Sequence, residues 1–464
     1  MGFFMRILSA VIAVAGVSSL AGAAQISATP EMRLQAILDH AQDGDVVELA
    51  PGEYHGPIRI ERPITLTAKS GATVIGDGAS SVVTVSAPDV TIRGITINGS
   101  GRDLQAMDSA VFLAKTAERA VVENNRLQDN LIGIYVHGAT DAQVRGNIIE
   151  GLRNIRISEA GNGVSIWNSP GAKILNNDIR FGRDGIFVIS SRNNVFSRNR
   201  FHDLRFAVHY MYTNDSEVSD NVSSGNTVGL AIMYSHHLRV RGNVSDGDRD
   251  HGLLLNFVNY SEISENLIHG RLQPRERWLS SGLAGKAAAS EHGMPIGGGS
   301  VQALSQGARI GPEKCVFIYN ANKNRFVDNR FEGCEIGIHF TAGSEGNEIV
   351  GNAFIGNRNQ VKYVGSRYLD LSKDGRGNFW SDNPAFDLNG DGIADAAYRP
   401  NDIIDKVLWT APEAKVLVNS PAVQIIRWAQ ARFPALLPGG VVDTHPLMAP
   451  PVLSTHFDDE GARP

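Results

Sequence analysis

Cysteine is nearly absent from this 464-residue chain, with Cys315 and Cys334 the only two. A disulfide framework of the kind that holds small secreted domains together is thereby excluded, and the core must hold by packing. An excess of one charge sign is lacking too. With 43 Lys and Arg against 49 Asp and Glu, the net charge is −6 and 20% of residues are charged, which leaves no footprint for nucleic acid. Beyond the N-terminus no apolar run is long enough to span a bilayer. Between the repeats described below there is no helical pattern of the length that alternating strand–helix units require.

What is present begins with an export signal. Arg6 supplies a positive charge, small and apolar residues follow from Ile7 to Leu20, and Ala21-Gly22-Ala23 is an A-x-A cleavage site. Residues 1–24 therefore read as a signal peptide cut after Ala23 or Ala24, and the mature chain as periplasmic.

Glycine, at 49 residues, exceeds its ordinary share of roughly 7% and points to many tight corners. A repeat explains it. Short apolar strands open at Gly133, Gly163, Gly185, Ala207, Gly229 and Gly252, spaced 30, 22, 22, 22 and 23 residues apart, and the pattern returns at Gly337. Asn125, Asn147, Asn177, Asn199, Asn221, Asn243 and Asn266 keep the same step at 22, 30, 22, 22, 22 and 23, and Asn329 and Asn352 resume it 23 apart. Two markers in register predict an all-β fold, a right-handed parallel β-helix with coils of about 22 residues and an asparagine ladder at one corner. The 30-residue step fits a loop around Arg153–Glu159. The β-helix is expected over 25–365, with MRLQAILDHA from Met32 as a helical cap and a Gly-, Ala- and Ser-rich insert at 270–314. A C-terminal extension, 366–464, contains a short amphipathic helix from Pro421 with Ser420 as N-cap.

Alternation along each strand fixes which side chains face the core. Ile134, Val164, Ile186, Val208, Leu230 and Leu253 form one inward column; Val136, Ile166, Val188, Tyr210, Ile232 and Leu255 form the other. The positions between them point outward: Tyr135, Ser165, Phe187, His209, Ala231, Leu254 in one column and His137, Trp167, Ile189, Met211, Met233, Asn256 in the next. That face is aromatic and apolar where a solvent face should be polar, so a partner or another segment of the chain covers it. Neither column holds a carboxylate, so the acid–base chemistry of a polysaccharide lyase or epimerase finds little support there.

His209, Met211 and Met233 stand together on this face. Thioether and imidazole donors suit Cu(I), although methionine also fills irregular gaps in packing. His236 and His237 in the following turn, and His292 with Met294 in the insert, are further candidate ligands. Cys315 and Cys334 are 19 residues apart and leave three states open: a disulfide, two buried thiols or a copper thiolate. Asp387, Asn389, Asp391 and Asp395, with Gly392 for the turn, match the first nine positions of a calcium loop. Tyr398 stands where the loop's bidentate Glu belongs, and a cluster of Asx turns is the competing reading.

HYMYTNDSEVSDN from His209, IMYSHHLRVRGN from Ile232, GDRDHGLLLN from Gly247 and EKCVFIYNANKNRF from Glu313 resemble the NosD family. So do GIHFTAGSEGNEIVGNAFIGNRNQVKYVG from Gly337 and GRGNFWSDNPAFDLNGDGIADAAYRPNDIID from Gly375. The resemblance implies a copper-binding periplasmic factor for the maturation of nitrous oxide reductase. It also implies work with an inner-membrane ABC-type permease and its cytoplasmic ATPase, and with a copper chaperone. No catalytic residue is expected on this reading. The insert at 270–314 is longer than the family pattern, and a β-helix enzyme acting on uronate polymers is the alternative from another class.

Overall fold

In a computed structural model, the described residues are 23–153, 155–270, 313–341, 343–365, 367–400, 404, 407, 417, 420–432 and 440–453. They form a parallel β-solenoid of about 23 residues per turn. Each regular coil gives one strand to each of three parallel sheets, of 13, 12 and 13 strands, and Tyr368–Asp370 pairs with Gly440–Val442 in a small fourth sheet.

The sheet of longest strands carries the register expected from alternation. Val164 pairs with Ile186, Ile186 with Val208, Val208 with Leu230 and Leu230 with Leu253. Both inward columns are fully or almost fully buried, and they form part of one continuous core running the length of the solenoid. The register also passes across the insert without a slip, since His251 pairs with Lys314 and Leu253 with Val316. Residues 271–312, which include His292 and Met294, lie outside the described residues.

The asparagine ladder is continuous. From Asn125 to Asn352, each side-chain amide donates to the Oδ1 of the next coil's Asn at 2.8–3.1 Å, and Asn378 ends the series. The same Nδ2 groups also donate to a backbone carbonyl of the preceding coil, as from Asn199 to Ile174 at 2.8 Å. A buried turn thus meets its hydrogen-bonding demand without water. The residue before each rung is left-handed, for example Asn176, Arg198, Asp220 and Gly242 with φ of 55°, 57°, 56° and 62°, which is one reason for the glycine excess.

Both ends of the core are covered. The helix Leu34–His40 buries Leu34 and Leu38. Its Gln35 side chain imitates a strand, accepting from Arg59 N–H at 2.8 Å and donating to Arg59 O at 3.1 Å. At the other end the parallel pairing runs past residue 365, where Phe379–Trp380 pairs with Ala353 and Phe354. Trp380 stacks on Phe354 at 4.4 Å and donates its Nε1–H to Asp443 at 2.8 Å. Asp443 also accepts from the Asn378 N–H, closing the ladder.

Of the three states open to the cysteines, the structure has the disulfide. Cys315 and Cys334 are bonded, both are buried, and their α-carbons are 5.7 Å apart. The copper-thiolate expectation for Cys315 is therefore corrected, because a disulfide sulfur carries no thiolate. The amphipathic helix spans Pro421–Arg432, with Ser420 Oγ accepting from Val423 N–H at 3.4 Å as an N-cap. It buries Val423 and leaves Ile425, Ile426 and Trp428 exposed.

Candidate metal centre

Six-residue strands on successive coils build the site. Phe206–Met211 and Val228–Met233 pair in parallel, which sets Met211 beside Met233 and His209 beside Ala231. His209 and Met211 are two residues apart on one strand and project to the same side. The outward face at this level is a second hydrophobic cluster, separate from the main core. Val228, Ala231, Met233 and Leu254 are buried in it, with Phe206, Met211, Tyr234 and Phe317 packed against them. Met233, on an outward position, is only 6% exposed.

The absence of a carboxylate from this face, read from two outward columns, requires correction. The strand Asp184–Ile189 opens with Asp184, whose register partner on the next coil is Phe206. This begins a third outward column, one that a count from the small strand-opening residue leaves out. Asp184 is 1% exposed and accepts from Arg205 through Nε at 2.8 Å and Nη2 at 2.6 Å. His209 Nδ1 lies 3.0 Å from its Oδ2. Burial works to raise the Asp184 pKa, but the Arg205 charge and the His209 contact outweigh it and hold the carboxyl well below the ordinary range. Strict alternation gives Asp184 the inward parity of Ile186, two residues on, so the strand pattern did not announce it on this face. Nor did it announce that Arg205, from a corner, would reach back one coil to meet it.

Two more histidines lie on this face at other coils. His251 and His339 flank Phe317, with ring centroids 5.6 and 5.0 Å from it. Burial and the Lys314 charge push His251 down to about 4. Burial, Lys362, Lys314 and His251 push His339 down to about 3, so both rings are neutral at neutral pH. Both ring nitrogens of His339 are buried without a hydrogen-bond partner.

The turn histidines differ in setting. His236 and His237 are exposed, and His237 sits in a left-handed conformation 3.4 Å from Asp215. Beside them the edge of the face carries a ladder of stacked rings, Tyr212 on Tyr234 at 4.9 Å and Tyr234 on Phe257 at 5.2 Å.

The calcium expectation finds no support. Asp387 accepts from Gly390 N–H at 2.7 Å and Gly392 N–H at 2.8 Å, and Asn389 and Asp391 accept from Asp391 and Ile393 N–H at 2.9 Å each. Asp395 accepts from Leu388 N–H at 2.8 Å. These are Asx turns whose oxygens serve backbone amides. Among the described residues no group of three or more His, Cys, Asp or Glu is arranged to hold a metal ion. His209, Met211 and Met233, in an apolar setting, are the soft and borderline donor types that suit Cu(I).

No described helix is long and apolar enough to cross a membrane. Among solved structures, the Dettilon tailspike protein is similar in fold, with a TM-score of 0.52 at 13% identity over 73% of this chain and 68% of that one. The chain is 42% identical to the "Probable ABC transporter binding protein NosD" of Stutzerimonas stutzeri, over 87% of this chain and 86% of that protein. It is 39% identical to the protein of the same name from Pseudomonas aeruginosa, over 87% and 88%. The family profile described as periplasmic copper-binding protein (NosD) matches residues 146–385, and the chain belongs to that family.

Proposed function

We propose that the mature chain is a periplasmic, non-catalytic copper carrier that receives Cu(I) from a copper chaperone and delivers it for the maturation of nitrous oxide reductase. It does so docked to an inner-membrane ABC-type permease with its cytoplasmic ATPase, having been exported by the signal peptide 1–24. The family description and the relatives' names support the copper and transporter parts of this reading. The observation that carries it is the pairing of Met211 with Met233 beside His209 inside an apolar outward cluster.

Two thioethers and one imidazole make a three-donor set. Such a set should release its ion more readily than a closed four-donor one, as delivery requires. His236 and His237, one turn further on, are the exposed stations at which an ion would enter or leave. The helix Pro421–Arg432, with its exposed Ile425 and Trp428, is the docking element for the permease. A polysaccharide-modifying activity is disfavoured by the burial of Asp184.

The test is Cu(I) titration against a competing chelator with the Met211→Ala/Met233→Ala variant. Its affinity should fall at least tenfold while the solenoid stays folded. Unchanged affinity in the folded variant refutes the site.

A further inference from the structure

His209 cannot serve a soft metal through both ring nitrogens, because one of them is already engaged. Its Nδ1 lies 3.0 Å from Asp184 Oδ2 and 3.4 Å from Arg205 Nη2. These two neighbours make opposite demands. A carboxylate only accepts, so it needs a proton on Nδ1; a guanidinium only donates, so it needs a lone pair there. Distance and prior commitment decide between them. The Asp184 contact is shorter and charge-assisted, while the same Arg205 Nη2 already donates to Asp184 at 2.6 Å. Nδ1 therefore carries the proton.

We propose that Asp184, braced by Arg205, is the positioning residue that holds His209 as its Nδ1–H tautomer and leaves Nε2 as the nitrogen offered to Cu(I). This rests on the His209–Met211–Met233 reading. The brace is rigid at every joint. Asp184 is almost fully buried and pinned by two Arg205 hydrogen bonds, Arg205 lies 4.3 Å over the Phe206 ring, and Phe187 and Phe206 hold the imidazole at 5.0 and 5.1 Å. An imidazole that donates one N–H to a carboxylate keeps a fixed orientation and is a stronger base at the other nitrogen. Arg205 also balances the buried negative charge, so the pair adds no net charge beside a monovalent cargo. The arrangement links two coils: Asp184 comes from one, Arg205 and His209 from the next, so the ligand's orientation depends on coil register and not on a loop.

The experiment compares three full-length proteins: wild type, Asp184→Ala and His209→Ala. Histidine-selective nitrogen-15 NMR of the metal-free protein reads the tautomer, and chelator competition reads Cu(I) affinity. In the wild type the His209 ring should show the Nδ1–H form. In Asp184→Ala the Nε2–H form should appear and Cu(I) affinity should fall about 10- to 100-fold, the range for loss of such an outer partner. A folded Asp184→Ala protein that keeps either the Nδ1–H form or wild-type affinity, while His209→Ala binds weakly, overturns the inference alone. Wild-type affinity in His209→Ala overturns the underlying copper reading instead. If Asp184→Ala does not fold, the isosteric Asp184→Asn takes its place. It retains an acceptor for Nδ1–H but no charge, so affinity should fall about tenfold with the tautomer kept, and unchanged affinity overturns the proposal.

Discussion

Asp248 is a carboxylate at a corner where the coil before it has an amide. It is fully buried at an interior corner, where its Oδ1 accepts from Asn226 N–H at 2.8 Å and its Oδ2 from Ser223 and Ser245 hydroxyls at 2.6 Å each. One coil earlier, Asn226 holds the same position and uses its Nδ2 to donate to Phe201 O at 3.1 Å and Ser223 Oγ at 2.8 Å. Burial raises the Asp248 pKa from the ordinary 3.8 to about 6, against the three hydrogen bonds that lower it. Between those two values the folded protein holds a proton that the unfolded chain has released. Stability therefore falls as pH rises through that window, and the penalty is complete above it. A difference of about two pH units is worth about 3 kcal/mol. Asp248→Asn removes the titration, and the serine hydroxyls need only rotate from donors to acceptors to complete the rung. We expect the variant to match wild type in chemical denaturation near pH 4 and to exceed it by about 2–3 kcal/mol near pH 8. If the gap between the two proteins is the same at both pH values, the buried-carboxylate argument fails.

Two further outcomes follow from ion pairs and the disulfide. Burial works against charge on His202, but Asp178 and Asp203 at 3.2 and 3.1 Å raise its pKa to about 9. Its contribution is thus complete below about pH 6.5 and lost as pH rises through 9, so His202→Gln should be less stable by about 1 kcal/mol at pH 6 and equal to wild type at pH 10; thermal unfolding across that range checks it. Replacing both Cys315 and Cys334 by alanine should cost about 3 kcal/mol, the figure for closing a loop of this length, and leave Cu(I) affinity unchanged. A parallel loss of copper binding in that variant would return the cysteines to the ligand set.

Periodicity alone determined the architecture. The 22-residue step of Asn199, Asn221 and Asn243, in phase with Ala207 and Gly229, encodes which strands stack, because a solenoid's contacts all lie one repeat away. Strand alternation then placed His209, Met211 and Met233 on one face, and the soft character of those donors was legible before any coordinate. Helix ends were equally local: Ser420 before Pro421 is a start signal that needs no tertiary context. What only the tertiary structure decided were the contacts made by residues off the regular columns. Arg205, at a corner, reaches back one coil to Asp184, and the joint hold of these two on His209 has no sequence period to announce it. The disulfide was undecided at a spacing of 19 because corner geometry, not separation along the chain, brought Cys315 and Cys334 within 5.7 Å. The Asx turns of Asp387 and its neighbours show the same limit from the other side. A ligand motif fixes residue types, but whether those oxygens face an ion or their own backbone amides depends on how the loop folds.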